Sequence, residues 1–229
     1  MKKILLGLAC VLIYMMPANA ATKSIGITGV ASTIDSTVTD DVDSNGTIDT
    51  TKDISNDVGY GSIFFEVTND SSSSAGSLTL GIDFVPGSAE LDARSTTQTS
   101  CKAKAAGACP QVSGTNKGTV DLDRHITIYV QPGVTMNNGV TLFGTLGYVT
   151  ADVEAGVTSI SSTNKTEDLS LDGFKFGAGV KKVFGNSLFI KAEYSVTDYD
   201  DISVVTSNNT RVTADIDNTA LALSIGKQF

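Results

Sequence analysis

Along much of the chain apolar and polar residues alternate one for one, the period at which a β-strand shows a different face to each side. The alternation is cleanest between Gly173 and Tyr199. After a tight turn at Gly185-Asn186, Leu188, Ile190, Ala192, Tyr194 and Val196 share one face, while Lys191, Glu193, Ser195 and Thr197 share the other. The same period places Leu78, Leu80, Ile82 and Phe84 together in Ser77–Val85, and Leu221, Leu223, Ile225 and Phe229 together in Asn218–Phe229. Fainter versions occupy Ser24–Ile34, Val58–Val67, Gly118–Gln131 and Gly139–Thr150, so that eight strands are predicted.

The connections between them alternate in length. Asp35–Asp57, Pro86–Lys117, Ala151–Ser170 and Asp200–Asp217 are long and polar, and read as loops; the turns at Asn69–Gly76, Pro132–Asn138 and Gly185-Asn186 are short. In an antiparallel meander this order gathers every long connection at one end. A soluble sandwich has no reason to keep such asymmetry, whereas bacterial outer-membrane barrels combine short periplasmic turns with longer outside loops. The expected fold is therefore all-β, an eight-stranded antiparallel up-and-down transmembrane β-barrel with four long extracellular loops. Its apolar faces would meet lipid and its polar faces the lumen.

The N-terminal segment is of another kind. Lys2 and Lys3 precede a mostly apolar run from Ile4 to Met16, and Ala18-Asn19-Ala20 has the small-x-small form of a cleavage site. Residues 1–20 thus read as a secretory signal peptide cut after Ala20, with residues 21–229 as the barrel domain. The apolar run is short of the ~20 residues a membrane-spanning helix needs, and no later segment approaches that length. Any insertion into a bilayer must then be by a closed barrel.

Cleavage would remove two lysines and leave 14 basic residues against 25 acidic ones, a net charge of −11. Nucleic acid is a poor partner for such a chain. Cys101 and Cys109 form a close pair in CKAKAAGAC, which in an exported protein is most simply a disulfide pinning a loop.

Three features carry candidate chemistry. In DVDSNGTID the oxygen-bearing residues Asp41, Asp43 and Asn45 alternate ahead of a Gly at the sixth position, with Asp49 following. That arrangement suits a hard cation such as calcium. Lys52 stands where a bidentate Glu would complete the loop, and no flanking helices are expected, so a solvated acidic loop is the competing reading. His125 is the only histidine and shares the polar face with Asp121 and Asp123. Without a distinctive Ser motif beside it, it reads as a hydrogen-bonding lumen residue rather than a catalytic base. Lys175, Lys191, Glu193, Asp83 and Asp123 also share polar faces, and an eight-stranded bore is just wide enough for such side chains to fill. They are expected to plug it. Arg124 falls on the oily face, where a charge is tolerated only near the rim.

GFKFGAGVKKVFGNSLFIKAEYSVTDY resembles the penultimate hairpin of small OmpA-like outer-membrane barrels, in which a Gly-rich strand, a tight polar turn and an AEY-x-x-TDY strand recur. Phe229 is similar to the C-terminal aromatic that serves as the barrel-assembly signal of that class. Two positions depart from the pattern: Lys227 stands where a bulky apolar residue is usual, and Trp is absent from the chain. The interface girdles must then rely on Tyr148, Phe174, Phe184, Tyr194 and Phe229. No peptidoglycan-binding domain is expected after the last strand.

The resemblance implies a location in the outer membrane and a structural or surface-interaction role, such as adhesion or antigenic display. The implied partners are outer-membrane lipids, the barrel-assembly machinery at the C-terminal strand, and host or environmental surface ligands. A narrow diffusion pore, a lipid-modifying barrel enzyme and a soluble exported β-domain are the other classes the sequence leaves open. No cofactor other than calcium at Asp41–Asp49 is expected.

Overall fold

A computed structural model describes residues 21–41, 46–70, 76–87, 89–101, 111–158, 165–205 and 211–229. Among the described residues nine strands follow one another: β1 (Ala21–Asp41), β2 (Thr50–Asp70), β3 (Gly76–Phe84), β4 (Ala89–Cys101), β5 (Gln111–Thr135), β6 (Val140–Thr158), β7 (Lys165–Val183), β8 (Leu188–Val205) and β9 (Arg211–Gln228). Every pairing is antiparallel. Neighbours in sequence pair in turn except β3 and β4, β9 returns to β1, and β3 pairs with the lower half of β5. The ring has eight places, because β3 and β4 occupy one place in succession, with a break that begins at Val85–Gly87. Pro86 supplies no N–H there and Gly87 takes a left-handed φ of 90°, which end the ladder of β3.

The short end is closed by tight turns. Met136 N–H donates to the Val140 carbonyl and Phe184 N–H to that of Leu188, in hairpins that need left-handed backbone at Gly139 and Ser187. The last residue is tied to the first strand by Phe229 N–H donating to the Lys23 carbonyl.

The four stretches expected to be loops are largely strand. β1 runs on to Asp41 and β2 begins at Thr50, and the pairing Asp40↔Thr50 continues the ladder through aspartate-rich sequence. Pro86–Lys117 contains β4 and the start of β5, paired from Ala89↔Leu122 to Cys101↔Gln111. The strands flanking residues 159–164 and 206–210 are likewise extended. Alternation persists in these stretches with its sense reversed: Asp35, Thr37, Asp53 and Asp57 are outward and exposed, whereas Ile34, Val38, Ile54 and Val58 take the inward phase. The aspartates here solvate an outer strand face, not a loop.

This reversal marks the edge of the apolar belt. On β8, Leu188, Ile190, Tyr194 and Val196 are exposed outward, and Asp198 and Asp200 follow in the same phase. Leu188 to Val196 matches the roughly 9–11 residues that carry a tilted strand across a bilayer. β9 repeats the change from Leu221 to Asp217. Leu223 on the belt is 60% exposed, which only a hydrocarbon surrounding makes favourable. Beyond the belt the barrel interior becomes apolar, with a buried cluster of Val149, Ala151, Leu171 and Tyr199 against Ile202 and Ile216. Where side chains are described on both sides of the edge, as on β1, β2, β8 and β9, the strand is inside-out below and conventional above.

A second correction concerns β5. Its register against β6 shifts between Asp123 and Ile126, where Arg124 has a left-handed φ of 48°. One extra residue inverts the phase of everything above it. The single alternation read from Val120 to Val130 therefore holds only from His125 onward. Arg124 itself is exposed at the rim, paired with Asp152 at 2.7 Å, as its oily parity required.

Candidate functional site

The inward face of the belt is where the chain concentrates its charge. Glu66 on β2 is 0% exposed and lies opposite the cross-strand neighbours Lys181 and Lys191. Its Oε1 accepts from Lys191 Nζ at 2.5 Å and from the Tyr129 hydroxyl at 2.9 Å, and its Oε2 meets Lys181 Nζ at 3.5 Å. Two lysines directly across a ladder repel one another unless an anion is set between them. Here the anion comes from the far wall.

Aromatic rings enclose the cluster. Lys181 Nζ stands 4.2 Å from the Phe189 ring centre and Lys191 Nζ 4.7 Å from that of Phe64. A cation against a ring face gains about 0.5–2 kcal/mol, more as water is excluded. The rings fit because they lie on glycines. Phe64 is paired with Gly26, Tyr129 with Gly81, Phe143 with Gly179, and Phe189 with Gly226. A Cβ on Gly81 would come within 2.2 Å of the Tyr129 ring.

Above this plug a second network spans the bore. Lys175 Nζ contacts Glu193 Oε1 at 2.7 Å, and Glu193 Oε2 accepts from Gln131 Nε2 at 2.8 Å and Thr145 Oγ1 at 3.0 Å. Asp83 accepts from Ser62 Oγ at 2.7 Å. The space left among these side chains offers about 50 Å³, room for a few water molecules. His125 and Asn218 line it, each with one polar atom, Nδ1 and Oδ1, that lacks a protein partner; such atoms are where buried water is held.

Of the expected interior set, Lys175, Lys191, Glu193 and Asp83 converge in the bore. Nothing is described of the Asp123 side chain. Glu66, Lys181, Tyr129 and Gln131 belong to the networks as well, and their inward parity was the available signal. His125 lines the bore, with Nε2 3.4 Å from the Tyr199 hydroxyl. Ser62, which lines the same space, donates to Asp83.

In the acidic motif, Asp41 is buried and its Oδ2 accepts the Gly46 N–H at 2.8 Å, a turn for which Gly46 adopts a φ of 89°. Asp43 and Asn45 lie outside the described residues, and Asp49 is exposed. Among the described residues no group of three His, Cys, Asp or Glu side chains is arranged to hold a metal. Cys101 ends β4, while Cys109 and Ala20 lie outside the described residues. Phe229 projects outward at the short end, 73% exposed, with Lys227 Nζ 5.7 Å from its ring centre.

A family model described as the outer membrane protein beta-barrel domain matches residues 6–229. No curated protein matches the chain. Among solved structures, the attachment invasion locus protein Ail of Yersinia pestis, crystallised with the heparin analogue sucrose octasulfate, is 13% identical, with a TM-score of 0.39 over 89% of this chain and 99% of its own. Neisserial surface protein A is 10% identical, with a TM-score of 0.36 over 89% and 97%. The outer membrane protease OmpT of Escherichia coli is 8% identical, with a TM-score of 0.49 over 92% and 97%.

Proposed function

The chain belongs to the outer membrane protein beta-barrel domain family and resides in the outer membrane, and from that premise we propose a non-conducting, non-enzymatic barrel that acts through the part standing clear of the bilayer, by attachment to or recognition of surfaces. The observation that carries this reading is the division of labour along β1, β2, β8 and β9. Within the belt the Glu66 and Glu193 networks cross the bore; about 50 Å³ is left beside the Glu193 network, and a space of about 290 Å³ lies at the short end among Thr68, Thr141 and Lys181. Beyond the belt β1, β2, β8 and β9 continue as a paired wall with an acidic outer face.

A pore would not seal its lumen with a desolvated ion cluster whose partners come from opposite walls. An enzyme of lipid would not confine its single histidine to the bore. In this reading the long end is extracellular, Phe229 at the periplasmic rim is the feature engaged by the barrel-assembly machinery, and Cys101 with Cys109 staples the tip of the β4–β5 hairpin.

The decisive experiment pairs two measurements on the protein reconstituted in lipid. Planar-bilayer recording should show no steady single-channel conductance, and cells displaying the chain should lose attachment to a test surface when β4 and the upper part of β5 are replaced by a short turn. Steady ohmic channels in the unaltered protein would favour the narrow pore instead.

A further inference from the structure

Between the Glu66 plug and the turns of the short end lies a hollow of about 290 Å³, walled by Thr68 and Thr79 on β2 and β3, Thr135 and Thr141 on β5 and β6, and Lys181 on β7. Thr68, Thr79 and Lys181 are buried at its floor, and Thr135 is exposed at its mouth. Register sets the hydroxyls in two pairs. Thr68 faces Thr79 and Thr135 faces Thr141, with oxygens 2.8 and 2.9 Å apart. A Cβ on Gly133 would come within 2.9 Å of Ser77 Oγ and 3.0 Å of Thr141 Cγ2, two lining residues, so the glycine keeps the hollow uncrowded.

The lining favours an anion. A hydroxyl has one proton, so each threonine pair uses one on its own hydrogen bond and keeps one to donate elsewhere. Lys181 is the charged residue lining the hollow. Its Nζ meets Glu66 at 3.5 Å, but the same carboxylate also holds Lys191 at 2.5 Å, one negative charge for two positive ones. Glu193 and Asp83 lie on the other side of the plug, Glu193 bound to Lys175 and Asp83 within electrostatic reach of Lys175 and Lys191. The excess positive charge of the plug therefore falls on the side of the hollow, where partial exclusion of water makes it more effective than in bulk solvent.

We propose that this hollow is a binding site for a small water-soluble phosphate monoester, its phosphate on Lys181 and the threonine hydroxyls. The donors come from three walls, β7, β2–β3 and β5–β6, which suits the tetrahedral oxygens of a phosphate better than the single plane of a carboxylate. The volume equals about ten water molecules, room for a phosphate and a short polyol body. The lining side chains point into the bore, so the bilayer lipids outside the wall are not the source; the ligand enters from water at the short end. This site lies at the opposite end from the surface assigned to attachment, and neither conductance nor cell attachment bears on it.

The test uses the full mature chain in a phosphate-free sugar detergent, with glycerol 3-phosphate as the probe and glycerol and potassium chloride at equal ionic strength as comparisons. The phosphorus resonance of glycerol 3-phosphate should broaden saturably, and the thermal unfolding midpoint should rise with its concentration. Glycerol and potassium chloride should leave the midpoint unchanged. Lys181→Met should weaken binding about tenfold. It should still fold, because Glu66 retains Lys191 and Tyr129, and heat-modifiable gel mobility checks this. Thr135→Val with Thr141→Val, at the mouth and clear of the plug, should weaken binding about threefold and gives a second variant if the first does not fold. No saturable broadening with the unaltered protein, an equal rise in midpoint with potassium chloride, or undiminished binding in a folded variant would overturn the proposal.

Discussion

Phe64 and Phe189 meet ring to ring inside the barrel, their centres 6.0 Å apart and their planes tilted by 54°. They come from β2 and β8, two strands that never pair, and they meet because Gly26 and Gly226 face each other across the β1–β9 seam between them. With no Cβ on either glycine, each ring lies flat over its neighbour's backbone. The seam that closes the barrel is thus sealed by rings from the strands on either side of it.

A methyl group on Gly226 would sit 2.4 Å from the Phe189 ring and 2.9 Å from the Ile25 carbonyl. Gly226→Ala should therefore destabilise the folded barrel by about 1–3 kcal/mol, the usual cost of overpacking. Phe189→Ala removes the obstacle, so the double variant should lose less than the sum of the singles. Urea unfolding in lipid vesicles gives the coupling, and strict additivity would mean that the ring and the glycine are independent.

Glu66 holds Lys181 and Lys191 on a single carboxylate. Glu66→Gln should cost about 3–5 kcal/mol, because it leaves desolvated cations opposite each other without the charge that joins them. Adding Lys191→Met should recover a substantial part of that loss. If Glu66→Gln unfolds at the same urea concentration as the parent, the cluster is not what closes the bore.

Outside the belt, Asp198, Asp217 and Asp35 stand side by side on three neighbouring strands. Desolvation, and then the charges of Asp215, Asp198 and Asp35, push the Asp217 carboxyl above its ordinary value. The folded state thus holds this proton more tightly than the unfolded chain does. The contribution of Asp217 to stability is least favourable at neutral pH and improves as pH falls through its raised value. Asp217→Asn should raise the unfolding midpoint at pH 7 by a small margin, the site being mostly solvated, and the gain should vanish at pH 3. A gain that persists at pH 3 would have a cause other than charge.

The belt was legible in the sequence because its signal is local: Leu188 to Val196 show period two without reference to any other strand. The upper wall was not, because Asp35, Asp53 and Asp57 carry the composition of a loop, and only pairing distinguishes an acidic strand face from an acidic loop. Arg124 illustrates a further limit. Its misplaced parity was visible, but the bulge that explains it shows only in the register with β6. The plug lay beyond local reading altogether, since Glu66 and Lys191 are 125 residues apart and meet only once the ring closes. Likewise each ring-on-glycine pair depends on register, which the individual strands do not reveal.

The reversal of inside and outside along each strand is open to direct measurement, because the chain contains no tryptophan. A single Trp introduced at Leu223 would lie on the belt, and one at Asp215 would share its outward phase four places higher on the barrel wall, past Asp217. If hydrocarbon covers the first and water the second, Leu223→Trp should emit at short wavelength and be quenched by lipids brominated on their acyl chains. Asp215→Trp should emit at long wavelength and respond to aqueous iodide instead. Ala151→Trp, placed in the apolar interior above the belt, should be shielded from both quenchers if it is accommodated. A barrel that was merely longer, with lipid along its whole outer face, would give bromine quenching at 215 as well as 223. A soluble barrel would give it at neither.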